Sequence, residues 1–284
     1  MAAPQKSFRR KIGALIVFYD LPAVQVWIAA VALGLGFGLA QASVPWTSLV
    51  LALAAMSALF MYLMAVNDFF DLQIDRQKHE QSGLVAGIIS PEEAKVAVLV
   101  SGGFGLIASF FVSDWFFVLL ALIFTISTLY SAPPVRFKRF YPFTTLGELF
   151  GGYLLFPLGV SIVLIPTWRA FVLSFIPLMI TASMRLSHEA KYVEFDRSTG
   201  KRTLAVVHGV NGVRAAVKAL IPAALAMIFI SMILQLVTIP LGILTIAFIF
   251  MPTIIRKAIR SKGRLRPVSY FWGFLFYLLA LSIH

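Results

Sequence analysis

The chain has 284 residues, 60% of them hydrophobic and only 13% charged, with a mean hydropathy of +0.91. That apolar share is above the soluble range and excludes a soluble enzyme; the chain reads as an integral membrane protein. The formal charge of +12 does not point to nucleic acid, because the basic residues are spread over short segments between apolar runs, where they fit membrane topology and anionic lipid. Cysteine is absent, which excludes disulfides, thiolate metal sites and thiol nucleophiles.

At the amino terminus, Arg9-Arg10-Lys11, an apolar stretch and Ala40-Gln41-Ala42 have the outline of a signal peptide. The stretch from Ile12 to Ala40 is too long for that and is interrupted by Asp20, so an uncleaved first span is expected. Apolar runs bounded by charges and Pro/Gly breaks predict nine spans, at about 15–40, 46–66, 93–113, 115–131, 144–165, 168–187, 211–234, 237–254 and 268–284. All should be helices, since open strands cannot satisfy their backbone in lipid. The expectation is an all-α, polytopic protein with one membrane domain over residues 1–284.

The connections alternate in charge. Every Lys and Arg except Arg169 lies in the amino terminus, in 67–92, 132–143, 188–210 or 255–267, or at the flanking span ends. The intervening connections (41–45, Asp114, Pro166-Thr167-Trp168, Thr238-Ile239-Pro240) are short. The positive-inside rule then predicts a cell (inner) membrane protein with its amino terminus and long loops cytoplasmic and His284 outside. The loops after spans 2 and 6 both begin with acids at helical spacing, a faint echo of two four-helix units.

Three stretches carry candidate chemistry. Span 2 continues without Pro or Gly into Asn67-Asp68-Phe69-Phe70-Asp71-Leu72-Gln73-Ile74-Asp75. On a helix, Asp68, Asp71 and Asp75 share one face at i, i+3 and i+7, with Asn67 four before Asp71. Like charges so placed repel, and a hard cation such as Mg2+, which takes oxygen ligands and bridges carboxylates to phosphates, would relieve them. A solvated loop helix is the plainer alternative. The second stretch runs from His188 to Leu204 and places Glu189, Tyr192 and Asp196 at the same spacing; Lys191, Arg197, Lys201 and Arg202 could equally pair with its acids as a salted loop. The third, from Leu129 to Arg139, breaks at Pro133-Pro134 and brings Arg136, Lys138 and Arg139 to the same side, either as a topological anchor or with Lys138 or Arg136 turned inward as a phosphate donor.

Together these stretches resemble the UbiA superfamily of intramembrane prenyltransferases. The pattern Asn-Asp-x-x-Asp-x-x-x-Asp is complete at Asn67, Asp68, Asp71 and Asp75, and Tyr-Ser-x-Pro-Pro-x-Arg-x-Lys is complete from Tyr130 to Lys138. The second acidic motif is partial. Glu189 replaces the usual Asp, Tyr192 and Asp196 fit, Asp-Arg-x-x-Gly-x-x-Thr-Leu follows from Asp196 to Leu204, and Gly200 or a neighbour stands where a third acid is usual.

The resemblance implies nine helices around a central cavity capped by cytoplasmic loops, and a Mg2+-dependent transfer of a polyprenyl group from an isoprenyl diphosphate to a hydrophobic or aromatic acceptor. It implies metal ligands at Asn67, Asp68, Asp71, Asp75, Glu189 and Asp196. Phosphate or substrate contacts are implied at Asn67, Arg136, Lys138, Arg197 and Lys201, and catalytic roles at Asp71, Asp75, Asp196 and Tyr192. A family Arg-Pro near the start of span 1 is replaced by Tyr19-Asp20-Leu21-Pro22, which leans away from a benzoate acceptor and leaves quinone-precursor, glycerol-lipid and carotenoid acceptors open. Two other classes are carried alongside: a secondary transporter of an anionic lipid or metabolite, whose site would be expected at the midplane, and a catalytically impaired family member acting as a scaffold.

Overall fold

From Trp46 to Gln77 the sequence contains neither Pro nor Gly, and it folds as one uninterrupted helix of 32 residues. At about 1.5 Å per residue that is about 48 Å, against about 30 Å of hydrocarbon. Its last turns, which carry Asn67, Asp68, Asp71 and Asp75, therefore stand beyond the apolar layer. The computed structural model describes residues 21–77 and 83–236. In chain order the helices are α1 (Leu21–Leu39), α2 (Trp46–Gln77), α3 (Pro91–Phe110), α4 (Asp114–Ser131), a 3₁₀ turn (Phe137–Arg139), α5 (Phe143–Tyr153), α6 (Leu155–Val160), α7 (Trp168–Leu173), α8 (Phe175–Lys191), α9 (Val193–Ser198) and α10 (Leu204–Ile233). No strand occurs among the described residues.

Six stretches are long and apolar enough to cross a membrane: Trp46–Arg76, Pro91–Phe110, Asp114–Ser131, Phe143–Val160, Trp168–Lys191 and Leu204–Ile233. They match the second to seventh expected spans, and α1 covers the described part of the first. The spans expected at 237–254 and 268–284 lie outside the described residues. Two expected single helices are broken, and proline explains where. Pro157 and Pro177 have no N–H to donate to the carbonyls four residues back, at Tyr153 and Leu173; α5 and α7 end on those two residues. Pro222, by contrast, sits within α10 without ending it.

Helix starts follow local chemistry. Ser90 accepts from the Glu93 amide at 3.2 Å while its own amide donates to the Glu93 carboxylate at 2.9 Å, a capping box with Pro91 at the first position of α3. Ser113 caps α4 at 3.1 Å and donates to the Ser161 carbonyl at 2.7 Å, tying α4 to the end of α6.

Close packing, rather than the hydrophobic effect, holds helices together inside lipid. The backbones of α1 and α6 touch: a methyl group added at Gly34 would lie 1.9 Å from the Phe156 carbonyl oxygen, and one at Gly159 would lie 1.8 Å from that of Val31. Leu59, Phe60, Phe116, Leu120, Ile123 and Leu158 fill the core between α2, α4 and α6. Near the acidic end, Tyr62 stacks on Phe124 at 4.1 Å and shares a 2.6 Å hydrogen bond with Thr128. This fixes α2 against α4 one turn below the candidate site.

Candidate active site

The site begins where α2 and α4 leave the packed core. Just above the Tyr62–Thr128 bond, Ser131 at the end of α4 donates to the Asn67 side-chain oxygen at 3.3 Å. The chain then turns through Pro133 and Pro134, and Arg136 takes a left-handed conformation, φ 46° and ψ 57°. That residue folds the loop back over α2, with the Arg136 amide donating to the Ala132 carbonyl at 2.9 Å. The 3₁₀ turn follows, and Thr144 anchors it by donating to the Lys138 carbonyl at 3.0 Å.

Both cations of this loop end on one carboxylate. Arg136 Nη2 donates to Asp71 Oδ1 at 2.6 Å and to the Phe70 carbonyl at 2.9 Å. Lys138 Nζ donates to Asp71 Oδ2 at 2.7 Å and to Asn67 Oδ1 at 2.9 Å. Lys138 is buried, with 6% of its side chain exposed, and Arg136 and Asp71 are nearly so. Burial pushes the Lys138 pKa below the ordinary lysine value; the charge and hydrogen bond of Asp71 push it back up, and Arg136 and Lys201 push it further down. Lys201 therefore lies within electrostatic reach of the cluster. Arg136 Nε is buried with no hydrogen-bond partner, so one strong donor at this centre is unused.

The second acidic stretch is built differently. Glu189 is 1% exposed, and its carboxylate ties three helices together. Oε1 accepts from the Thr145 hydroxyl of α5 at 3.0 Å and stands 3.6 Å from Arg185 Nε, one turn earlier on α8; Oε2 accepts from the Leu204 amide at the start of α10 at 3.1 Å. A carboxylate committed in this way to a helix N-terminus and a hydroxyl is a brace. Asp196 is buried on α9, and its backbone carbonyl accepts from the Lys201 amide at 2.9 Å. Gly200 donates to the Arg197 carbonyl at 3.2 Å with φ +72°, closing a Schellman turn. A left-handed position of this kind favours glycine over an acid, which gives the missing third acid a physical reason.

Several sequence-predicted residues are placed elsewhere. Arg197 pairs with Glu194 at 3.1 Å on an exposed surface, and Tyr192 is exposed, with Lys191 donating to its hydroxyl at 3.1 Å. Asp68 and Asp75 accompany Asp71 on α2, with Asp75 buried. Among the described residues, no three His, Asp or Glu side chains converge closely enough to hold one metal ion. The expected pair of facing metal-binding acid sets is thus not assembled in this conformation: Asp71 faces the basic loop, and Glu189 faces the start of α10. Asn67 and the α2 aspartates are an all-oxygen set of the kind Mg2+ takes, so their chemistry fits that ion; Glu189 offers oxygen of the same kind, held in this structure by Thr145 and the Leu204 amide.

Sequence reasoning passed over Thr144, Thr145 and Arg185. The Thr144 hydroxyl also lies 3.2 Å from the Arg202 carbonyl, so its one proton is shared between the basic loop and the turn after α9. Arg185 could have been found from its four-residue spacing to Glu189. The two threonines carry no comparable signal.

An all-helical integral membrane protein with an aspartate, an amide, a buried lysine and a largely covered arginine gathered at one end of its bundle is the class defined by this fold and site. Residues 26–279 match the UbiA prenyltransferase family, and the chain belongs to that family. It is 27% identical over 164 residues to a homogentisate phytyltransferase of Synechocystis sp., a match covering 54% of this chain and 52% of the relative; the matched part spans about half the length of that curated relative. A UbiA homolog from Archaeoglobus fulgidus, solved with DMAPP and Mg2+, superposes with a TM-score of 0.75 at 19% identity, covering 95% of this chain and 99% of that one. The apo structure of a UbiA homolog from Aeropyrum pernix gives a TM-score of 0.68 at 20% identity, covering 91% and 96%.

Proposed function

We propose that this protein transfers a polyprenyl group from an isoprenyl diphosphate to a hydrophobic acceptor of a lipid pathway (an aromatic quinone precursor, a glycerol-type lipid or a carotenoid), with Mg2+ as the cofactor. The observation that carries this reading is the convergence of Asn67 and Asp71 with Arg136 and Lys138 at the end of the bundle. A secondary transporter would place its polar centre near the midplane. Family membership and the DMAPP, GPP and Mg2+ in the Archaeoglobus fulgidus structures support the same choice.

In this mechanism Arg136 and Lys138 bind the diphosphate and stabilise it as the allylic C–O bond breaks and its electron pair leaves with the phosphate oxygen. Asn67 holds Lys138 in register, and Ser131 holds Asn67. Lys201 and Arg197 add positive charge at the edge, and Tyr192 positions donor or acceptor. Asn67, Asp68, Asp71 and Asp75, together with Asp196, would hold Mg2+, which would supply further charge neutralisation to the leaving group. Glu189 supports this set from behind by fixing the start of α10. The acceptor carbon or oxygen forms the new bond to the allylic carbon and loses its proton. The alternation of basic loops supports a cytoplasmic location for the site.

The test supplies the purified full chain with Mg2+, prenyl diphosphates of several lengths and pools of aromatic, glycerol-lipid and carotenoid acceptors, and reads prenylated products by mass spectrometry. A product made by wild type and lost in Asp71→Asn supports the proposal. Exchange of a labelled anion across vesicles with no product in any pool overturns it in favour of transport.

A further inference from the structure

We propose that the Asp71 carboxylate is locked by Arg136 and Lys138, and that the donor diphosphate is the key. The two cations exchange Asp71 for phosphate oxygens, and only then does Asp71 become available to a divalent metal. This rests on the proposed reading of the cluster as a diphosphate site and adds to it an order of events within that site.

Three observations lead there. Each oxygen of Asp71 is already taken by a different cation, at 2.6 and 2.7 Å, so a metal ion approaching this carboxylate meets two positive charges at contact distance from its ligand. Both cations belong to one short turn started by the left-handed Arg136 and anchored by Thr144, so one diphosphate can meet both. Arg136 places both of its bonds through Nη2, while its buried Nε has no acceptor. The guanidinium thus leaves one donor unsatisfied in its pairing with Asp71 and gains by turning to a partner that can use it, and a phosphate group presents oxygens at the spacing that guanidinium recognises.

The consequence is linkage with an unusual sign. Asp71 keeps the cations from phosphate and the cations keep metal from Asp71, so removing one partner of the lock strengthens binding of the ligand that the other partner serves. A cation that served the diphosphate alone would be neutral toward metal, apart from its general field. Lys201 measures that field, since it acts on Lys138 through space, while the side-chain bonds of Asp71 go to Arg136 and Lys138. Asp75, one turn further along α2, is the matching control for Asp71.

The experiment uses the full chain in detergent and two separate probes. Mn2+ binding without any diphosphate is read from the electron paramagnetic resonance of free Mn2+. Inorganic pyrophosphate binding in EDTA is read by calorimetry. The lock predicts that Lys138→Met binds Mn2+ about tenfold more tightly than wild type and well above Lys201→Met. It predicts equally that Asp71→Asn binds metal-free pyrophosphate about tenfold more tightly than wild type and well above Asp75→Asn. The second arm stands alone should Lys138→Met fail to fold. Equal behaviour of each variant and its control, or weaker binding in both arms, overturns the lock while leaving the diphosphate site in place. Absence of pyrophosphate and Mn2+ binding in every protein overturns the underlying reading as well.

Discussion

Replacing Glu189 separates bracing from metal ligation. In Glu189→Ala, the Leu204 amide loses its partner at 3.1 Å, the Thr145 hydroxyl loses its partner at 3.0 Å, and Arg185 loses the carboxylate 3.6 Å away. Each orphaned buried donor costs about 1–3 kcal/mol, and breaking a buried charged pair costs about 3–5 kcal/mol. Since the groups share one carboxylate and Arg185 is partly exposed, the whole loss should be about 3–5 kcal/mol rather than their sum. Glu189→Gln keeps an oxygen for the Leu204 amide and can turn its NH₂ to the Thr145 hydroxyl, so its loss should be about 1–2 kcal/mol. The assay is thermal unfolding of the purified variants in detergent, with Mn2+ binding measured on the same samples. The bracing account predicts a graded fall in stability, Ala well below Gln, with Mn2+ affinity nearly unchanged in the Gln variant. A Gln variant as stable as wild type that has lost its metal would refute it.

Gly34→Ala or Gly159→Ala forces a methyl group to within 2 Å of a backbone oxygen across the α1–α6 contact; each should cost at least about 1–3 kcal/mol and reduce recovery of folded protein on size-exclusion chromatography. Gly103→Ala, where an added methyl meets nothing, should behave as wild type. Raising pH should weaken metal-free pyrophosphate binding. The protonated Lys138 is the binding form, complete below its pKa and lost as pH rises through it, and that pKa lies below the ordinary lysine value. Lys138→Arg should remove this alkaline limb, because a guanidinium stays charged; a limb that persists in the variant would assign it to another group.

The sequence reading went furthest where one helix carries the pattern. The shared face of Asn67, Asp68, Asp71 and Asp75 follows from spacing and from the absence of a breaker, and α2 runs through it unbroken. The start of α3 follows likewise from Ser90, Pro91 and Glu93. Breaks after Tyr153 and Leu173 were legible in principle, since the carbonyl four residues before each proline marks them; counting apolar residues alone merges the pieces. What could not be read was tertiary. No spacing shows that Glu189 reaches Thr145 and Leu204, or that Asp71 is paired with both Arg136 and Lys138. Those partners come from α5, α10 and a loop whose cations lie 65 and 67 residues along the chain from Asp71. Acids alike in sequence thus have different surroundings: Glu189 is buried against Thr145 and the start of α10, and Asp71 is paired with the two cations of the basic loop.

The central claim is that the Asp71 centre ionises an isoprenyl diphosphate. Its most direct measurement is Mg2+-dependent diphosphate release from a prenyl diphosphate by the purified wild type and by Asp71→Asn, in the presence of the acceptor pools. The account predicts release by wild type and a fall of about 100-fold or more in the variant, the scale expected when charge stabilisation of a leaving group is removed. Equal rates in the two proteins, or release that is indifferent to Mg2+, would contradict it.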